Sequence, residues 1–121
     1  MRATAAALLL AGCATTRSTD PSDLAGDWIL AAPPGASVSL QINGDATRIS
    51  GQAPCNSYFA PIIGPGFRVG PIGASRRACA ELEVEQRYLT RLATVTSACR
   101  SGTVLTLSNS AGPVLTFKRA D

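Results

Sequence analysis

The side chains able to do chemistry gather in two stretches. Cys55 and Asn56 stand beside an aromatic pair, Tyr58 and Phe59; further on, Arg76 and Arg77 run into Cys79 and the carboxylates Glu81, Glu83 and Glu85. Thiolates act as nucleophiles or metal ligands, paired carboxylates as general acid and base, and arginine forks as grips for anions. Each of these roles needs partners that the chain does not offer. There is no histidine, which removes the commonest general base and the commonest metal ligand together. No two cysteines share a C-x-x-C spacing of the kind that holds a metal. The three glutamates open a helical pattern, where the helix dipole favours negative charge without any catalysis. The residues therefore read as non-enzymatic, with no catalytic residue, no metal and no cofactor assigned. Asn56, Tyr58 and Arg76 are the candidates for a binding surface, Arg76 and Arg77 reading more simply as a solvated pair ahead of a helix.

The N-terminus supplies an address. Arg2 is followed by an apolar run to Leu10 and then by Leu10, Ala11, Gly12 and Cys13. The run is far short of the ~20 residues that span a bilayer, so it reads as the h-region of a signal peptide. The tetrad matches the lipobox, where a lipoprotein signal peptidase cuts before an acylated cysteine, so Cys13 is the expected lipidation site. Three acyl chains there would anchor the protein stably where one chain is marginal. Ala14, in place of an aspartate, is in enteric-type sorting an outer-membrane address. The expected organisation is a signal peptide over residues 1–12, a lipidated and flexible polar tether over 13–22, and one folded domain over 23–121.

The elements that must position the candidate residues are mostly strands. The 121 residues allow one core, and with 45% hydrophobic but only 5% aromatic residues it must be built of Val, Leu, Ile and Ala. Period-two alternation marks strands at 27–31, 38–42, 47–52, 67–69, 97–100, 103–107 and 114–118. Trp28 reads as core packing ahead of a ligand platform. Residues 55–63 form another strand, which Pro54 and Pro61 confine to an edge or to bulges. One helix is expected over 81–95, with Leu82, Leu89, Leu92 and Val95 near one stripe and Val84 and Tyr88 widening it. The fold class is α+β, mainly β: a small, cracked or partly open antiparallel β-barrel with one helix covering an opening. The formal charge of +3 is scattered and gives no nucleic-acid footprint, and the domain is expected to be a monomer.

With Cys13 acylated, Cys55, Cys79 and Cys99 remain, in a compartment where disulfides persist. A Cys79–Cys99 bond is disfavoured because a fifteen-residue helix between them spans roughly 22 Å. The four residues after it retrace at most about 14 Å. That leaves Cys55–Cys79 favoured over Cys55–Cys99, with Cys99 then a buried strand residue. Closing a loop of about 25 residues would contribute roughly 3.5 kcal/mol in the chain-entropy account.

Taken together, Leu24, Gly26, Trp28 and Leu30; Cys55, Asn56 and Tyr58; Ser75, Arg76, Ala78 and Cys79; Glu85, Tyr88 and Leu92; and Leu105, Leu107, Gly112, Leu115, Phe117 and Arg119 resemble the META domain family of HslJ-like bacterial envelope proteins. The sequence departs from the family pattern at Pro54, Ala60 and Ser75. The resemblance implies a compact cracked β-barrel with one helix, linked to heat-shock or antibiotic stress in some bacteria and to virulence or secretion in some parasites. It transfers no catalytic residues. The expected function is a lipid-anchored, periplasm-facing module that binds an envelope protein or an amphipathic ligand under stress. The alternative is an envelope hydrolase inhibitor or a pilotin-like chaperone for a secreted partner.

Overall fold

Val38, Leu40 and Ile42 are buried while the residues between them are partly open, and this period-two pattern recurs down the chain. In the computed structural model, which describes residues 17–120, it builds ten antiparallel strands with two helices. In chain order these are β1 (Arg17–Ser18), α1 (Pro21–Leu24), β2 (Gly26–Ala32), β3 (Ser39–Ile42), β4 (Arg48–Gln52), β5 (Ser57–Ile63), β6 (Arg68–Val69), β7 (Gly73–Ala74), α2 (Leu82–Leu92), β8 (Ser97–Ser101), β9 (Val104–Asn109) and β10 (Gly112–Arg119). The lateral order is β1-β8-β9-β10-β2-β3-β4-β5-β6, with β7 on the same side of β5 as β6.

The mainly β, α+β architecture expected from the sequence is present, and the sheet is not closed into a barrel. A short seam links its β6 end to the 95–96 segment that leads into β8. Phe67 N–H donates to Thr96 O at 3.2 Å and Val69 N–H to Val95 O at 3.1 Å, while Thr96 N–H donates to Ser108 O on β9 at 2.9 Å. Beyond Val69 the bridging stops. Trp28, Leu40, Ile49, Leu105, Leu107 and Phe117 fill the concave side, and α2 lays Tyr88 and Leu92 onto them. Trp28 is wholly buried, donates its indole N–H to Leu24 O at 3.0 Å, and has the Arg100 and Arg119 guanidinium carbons 5.5 and 5.2 Å from its ring centre. It is core, not a ligand platform.

Two expectations change. The polar stretch before Asp23 is not a free tether over its whole length. Arg17 and Ser18 pair with Ser101 and Arg100, and Asp20 caps α1 by accepting from Ser22 N–H at 3.3 Å, with Pro21 in the first turn and Leu24 buried. The main helix is shorter than 81–95. It ends at Leu92 because Val95 and Thr96, β-branched residues suited to an extended chain, are drawn out to bridge the seam. Pro61 is accommodated by a bulge, as anticipated. Gly70 N–H donates to Pro61 O at 2.9 Å and Gly73 lies opposite Phe59, so Pro71 and Ile72 together face Ala60. Residues 1–16, including Cys13 and the signal-peptide reading, lie outside the described residues.

Gly51 on β4 is required by a close approach. A Cβ there would overlap the Ser39 carbonyl and stand 2.8 Å from the Tyr58 hydroxyl. Gly51→Ala is therefore expected to destabilise the domain by about 3 kcal/mol, the upper range for overpacking against backbone, measured by urea denaturation. Gly44→Ala, with nothing within 4 Å of the added Cβ, serves as the control.

Candidate functional site

Helical spacing turns Glu85, Tyr88 and Leu92 to one inward stripe of α2. Glu85 is only 2% exposed. Its Oε1 accepts from Cys55 N–H at 2.8 Å and Asn56 N–H at 2.9 Å, and its Oε2 accepts from Asn56 Nδ2 at 2.6 Å. The second Asn56 amide proton goes to Arg77 O at 3.0 Å, and Asn56 Oδ1 accepts from Ser75 Oγ at 2.9 Å and from Arg77 N–H. An asparagine side chain has two protons to give and two lone pairs to receive, so Asn56 is saturated. One carboxylate and one amide thus lock the helix to the 55–56 turn and to the 75–77 segment. The Cys55–Cys79 disulfide, with Cα atoms 5.7 Å apart, closes the same junction covalently.

A second buried pair lies deeper. The Tyr58 hydroxyl donates to Ser39 O at 2.8 Å, and since that spends its only proton, Tyr88 must donate across the 2.7 Å contact to Tyr58. The rings meet edge to face with centroids 5.5 Å apart. Burial pushes both phenols well above the ordinary value near 10. For Tyr58 the hydrogen bond from Tyr88 works weakly the other way; for Tyr88 the neighbouring phenol adds to the rise.

Above the Glu85–Asn56 lock runs a groove of about 440 Å³ between the 72–78 segment and α2. Arg76 and Arg77 are exposed on one wall, and Leu82, Gln86 and Leu89 form the helical wall. The three residues predicted as a binding surface therefore part company. Arg76 lies on the groove and is exposed. Asn56, at 4% exposure, is part of its floor, with no hydrogen-bonding capacity left for a ligand. Tyr58, at 2%, is not surface at all, because the Tyr88 and Ser39 contacts hold it in the core. Glu85 was the residue that sequence reasoning undervalued. A carboxylate on the same helical stripe as Tyr88 and Leu92 was the available signal, since a charge on an apolar face requires a built-in partner. Cys99 is buried on β8, as expected. Among the described residues no group of three or more His, Cys, Asp or Glu side chains is placed to hold a metal ion.

A family model for the META domain matches residues 22–121, which takes in the whole sheet from β2 onward, both walls of the groove and the residues of the lock. The chain belongs to the META domain family. An NMR structure of a protein from Burkholderia xenovorans shares the fold of this META domain, with a TM-score of 0.63 and 23% identity over 85% of this chain and 88% of that one. No curated protein matches the sequence.

Two measurements check the site's physics. Glu85→Ala leaves two backbone N–H groups and an amide without their acceptor, so a loss of at least about 3 kcal/mol in urea denaturation is expected, against roughly 0.5 kcal/mol or less for the exposed neighbour Glu83→Ala. The protein has two tyrosines, and both are in the buried pair, so phenolate absorbance at 295 nm should show no native titration centred near 10. Raised folded pKa values mean that this stability is fully present below pH 10. It falls above it, because the unfolded chain releases protons that the native pair retains, at about 2.7 kcal/mol per pH unit for two phenols.

Proposed function

We propose that this META domain is a non-enzymatic, lipid-anchored module of the bacterial cell envelope. It is held at the outer membrane through Cys13 with its domain facing the periplasm, and it binds an envelope protein or an amphipathic ligand in the groove between the 72–78 segment and α2 as part of a stress response. The observation that carries the reading is the division of labour around the groove. Its buried polar groups, Asn56 and Glu85, are engaged in structural hydrogen bonds, which favours architecture over acid–base chemistry, whereas its rim combines exposed guanidinium groups with leucines. A basic rim over an aliphatic wall suits a partner that is both apolar and acidic. No helix among the described residues is long and apolar enough to cross a membrane, so acylation is the proposed means of attachment.

Intact-mass analysis of the protein purified from membranes tests the anchor. Three acyl chains at Cys13 are expected, with a disulfide-linked peptide pair containing Cys55 and Cys79; recovery of Cys13 in a disulfide would overturn the anchor. For the binding role, a photo-crosslinking amino acid at Arg76 should capture a partner in intact cells, while the same probe at Ser50, on the far face of β4, should not. Equal labelling at both positions, or none at either, would count against the groove.

A further inference from the structure

The groove's strand wall is an unpaired sheet edge. On β5 the hydrogen-bonded register runs through Phe59 opposite Gly73 and Ser57 opposite Ser75, where Ser75 N–H donates to Ser57 O at 3.1 Å. Antiparallel strands alternate hydrogen-bonded and non-bonded pairs, so Ala74, opposite Tyr58, turns its N–H and C=O away from β5, and Ile72 and Arg76 share its parity. One strand turn earlier the same outward side is used, by Phe67 and Val69, which donate to Thr96 and Val95. Past Val69 no strand continues that bridge, and Ile72 to Arg76 front the groove with α2 as the opposite wall.

Resting on the binding role assigned above to this groove, we infer that the partner is an extended acidic peptide segment, which adds as a strand to the Ile72–Arg76 edge and lies between it and α2. An open strand edge facing a helix across a groove is the geometry of β-strand addition, in which main-chain hydrogen bonds supply affinity and side-chain pockets supply selectivity. The apolar side chains of Ile72, Leu82 and Leu89 offer sites for every second residue of such a segment. Charge selects an acidic one. The charged residues lining the groove are Arg76, Arg77 and Glu85, and the Glu85 carboxylate is held by the Cys55 and Asn56 donors, so the open charge is positive. Glu81 and Glu83 line other clefts. A fatty acid would meet the same charge but would leave the edge N–H and C=O groups unmatched, which is why the peptide is the favoured occupant.

Fluorescence anisotropy on the full chain carrying Cys13→Ser, which keeps it unacylated, tests this. The probe is a fluorescein-labelled octapeptide of alternating valine and threonine with an aspartate at each end. Saturable binding that weakens with added salt is expected, and at least about a tenfold loss when lysines replace the aspartates. Two N-methylated versions of the peptide decide the mode without altering the protein. Methylation on one parity blocks strand pairing and on the other does not, so one version should lose at least about tenfold and its counterpart should bind like the parent. Ala74→Pro, which removes the outward N–H, and the pair Arg76→Glu with Arg77→Glu should each weaken binding about tenfold or more, with an unchanged thermal midpoint as the check that the variants fold. Equal affinity of the two methylated peptides overturns strand addition, as does failure of the acidic peptide to bind up to about 1 mM. If the peptides fail while the crosslinker at Arg76 still captures a partner, strand addition is wrong and the binding role of the groove stands.

Discussion

The domain depends on a buried carboxylate. Removing Glu85 from water is expensive, and what offsets the cost is not a cation but two backbone N–H groups and an amide already fixed in place by the chain. That choice has a structural consequence. A lysine or arginine partner would bring a long, flexible stem, whereas the Cys55 and Asn56 N–H groups are on consecutive residues of the backbone, so the carboxylate sets the height and rotation of α2 over the sheet. The Cys55–Cys79 bridge acts at the same place by another route, shortening the unfolded chain's reach while the carboxylate fixes the folded geometry. Because the two share Cys55, their contributions are coupled and should not be added as if independent.

The Tyr58–Tyr88 pair extends the lock inward. Tyr88 is one helical turn from Glu85, and Tyr58 is two residues from Asn56, so the same two elements are tied twice, once at the rim and once in the core. The inner tie reaches further, since Tyr58 also donates to the Ser39 carbonyl, and the absence of a side chain on Gly51 lets that hydroxyl approach. Two hydrogen-bonded groups therefore lie side by side, Glu85 with Asn56 at the groove floor and Tyr88 with Tyr58 reaching the carbonyl of Ser39, the first residue of β3, both placing polar groups beside an otherwise aliphatic core.

What was legible in the sequence follows from the physics of each signal. Period-two alternation is a direct imprint of a half-buried strand, and β2, β3, β4 and the three C-terminal strands appear where it places them. The disulfide was legible because a helix of known rise makes the competing Cys79–Cys99 pairing too long. The residues of the site were harder, for one shared reason. A polar residue is read as exposed unless its partners are known, and the side-chain partners of Asn56, Tyr58 and Glu85 lie 19 to 30 positions away. Glu85 carried a further ambiguity, because a glutamate near a helix start satisfies the dipole whether it is solvated or buried. The early start at Arg17 was missed for the opposite cause: two residues of strand pairing and a single capping aspartate leave no periodicity to read.

The bulge opposite Ala60 connects these features to the groove. Were the same residues paired regularly past Gly70, the outward-facing parity set by Phe67 and Val69 would continue through Gly73 and Ser75, and Ser75 would present its backbone to the groove and not to Ser57. The bulge inverts that parity. Ser75 then pairs with β5 and places its hydroxyl on Asn56, while Ala74 is left facing outward. Pro71, which lacks an N–H, is one of the two residues of the bulge, where it costs little in hydrogen bonds. A proline-containing bulge commonly blunts a sheet edge against unwanted pairing. Here it falls between the part of the edge that the chain itself covers with Val95 and Thr96 and the part it leaves open beside α2. The same local distortion thus ends the self-closure of the sheet, completes the anchoring of Asn56, and defines where the open edge begins.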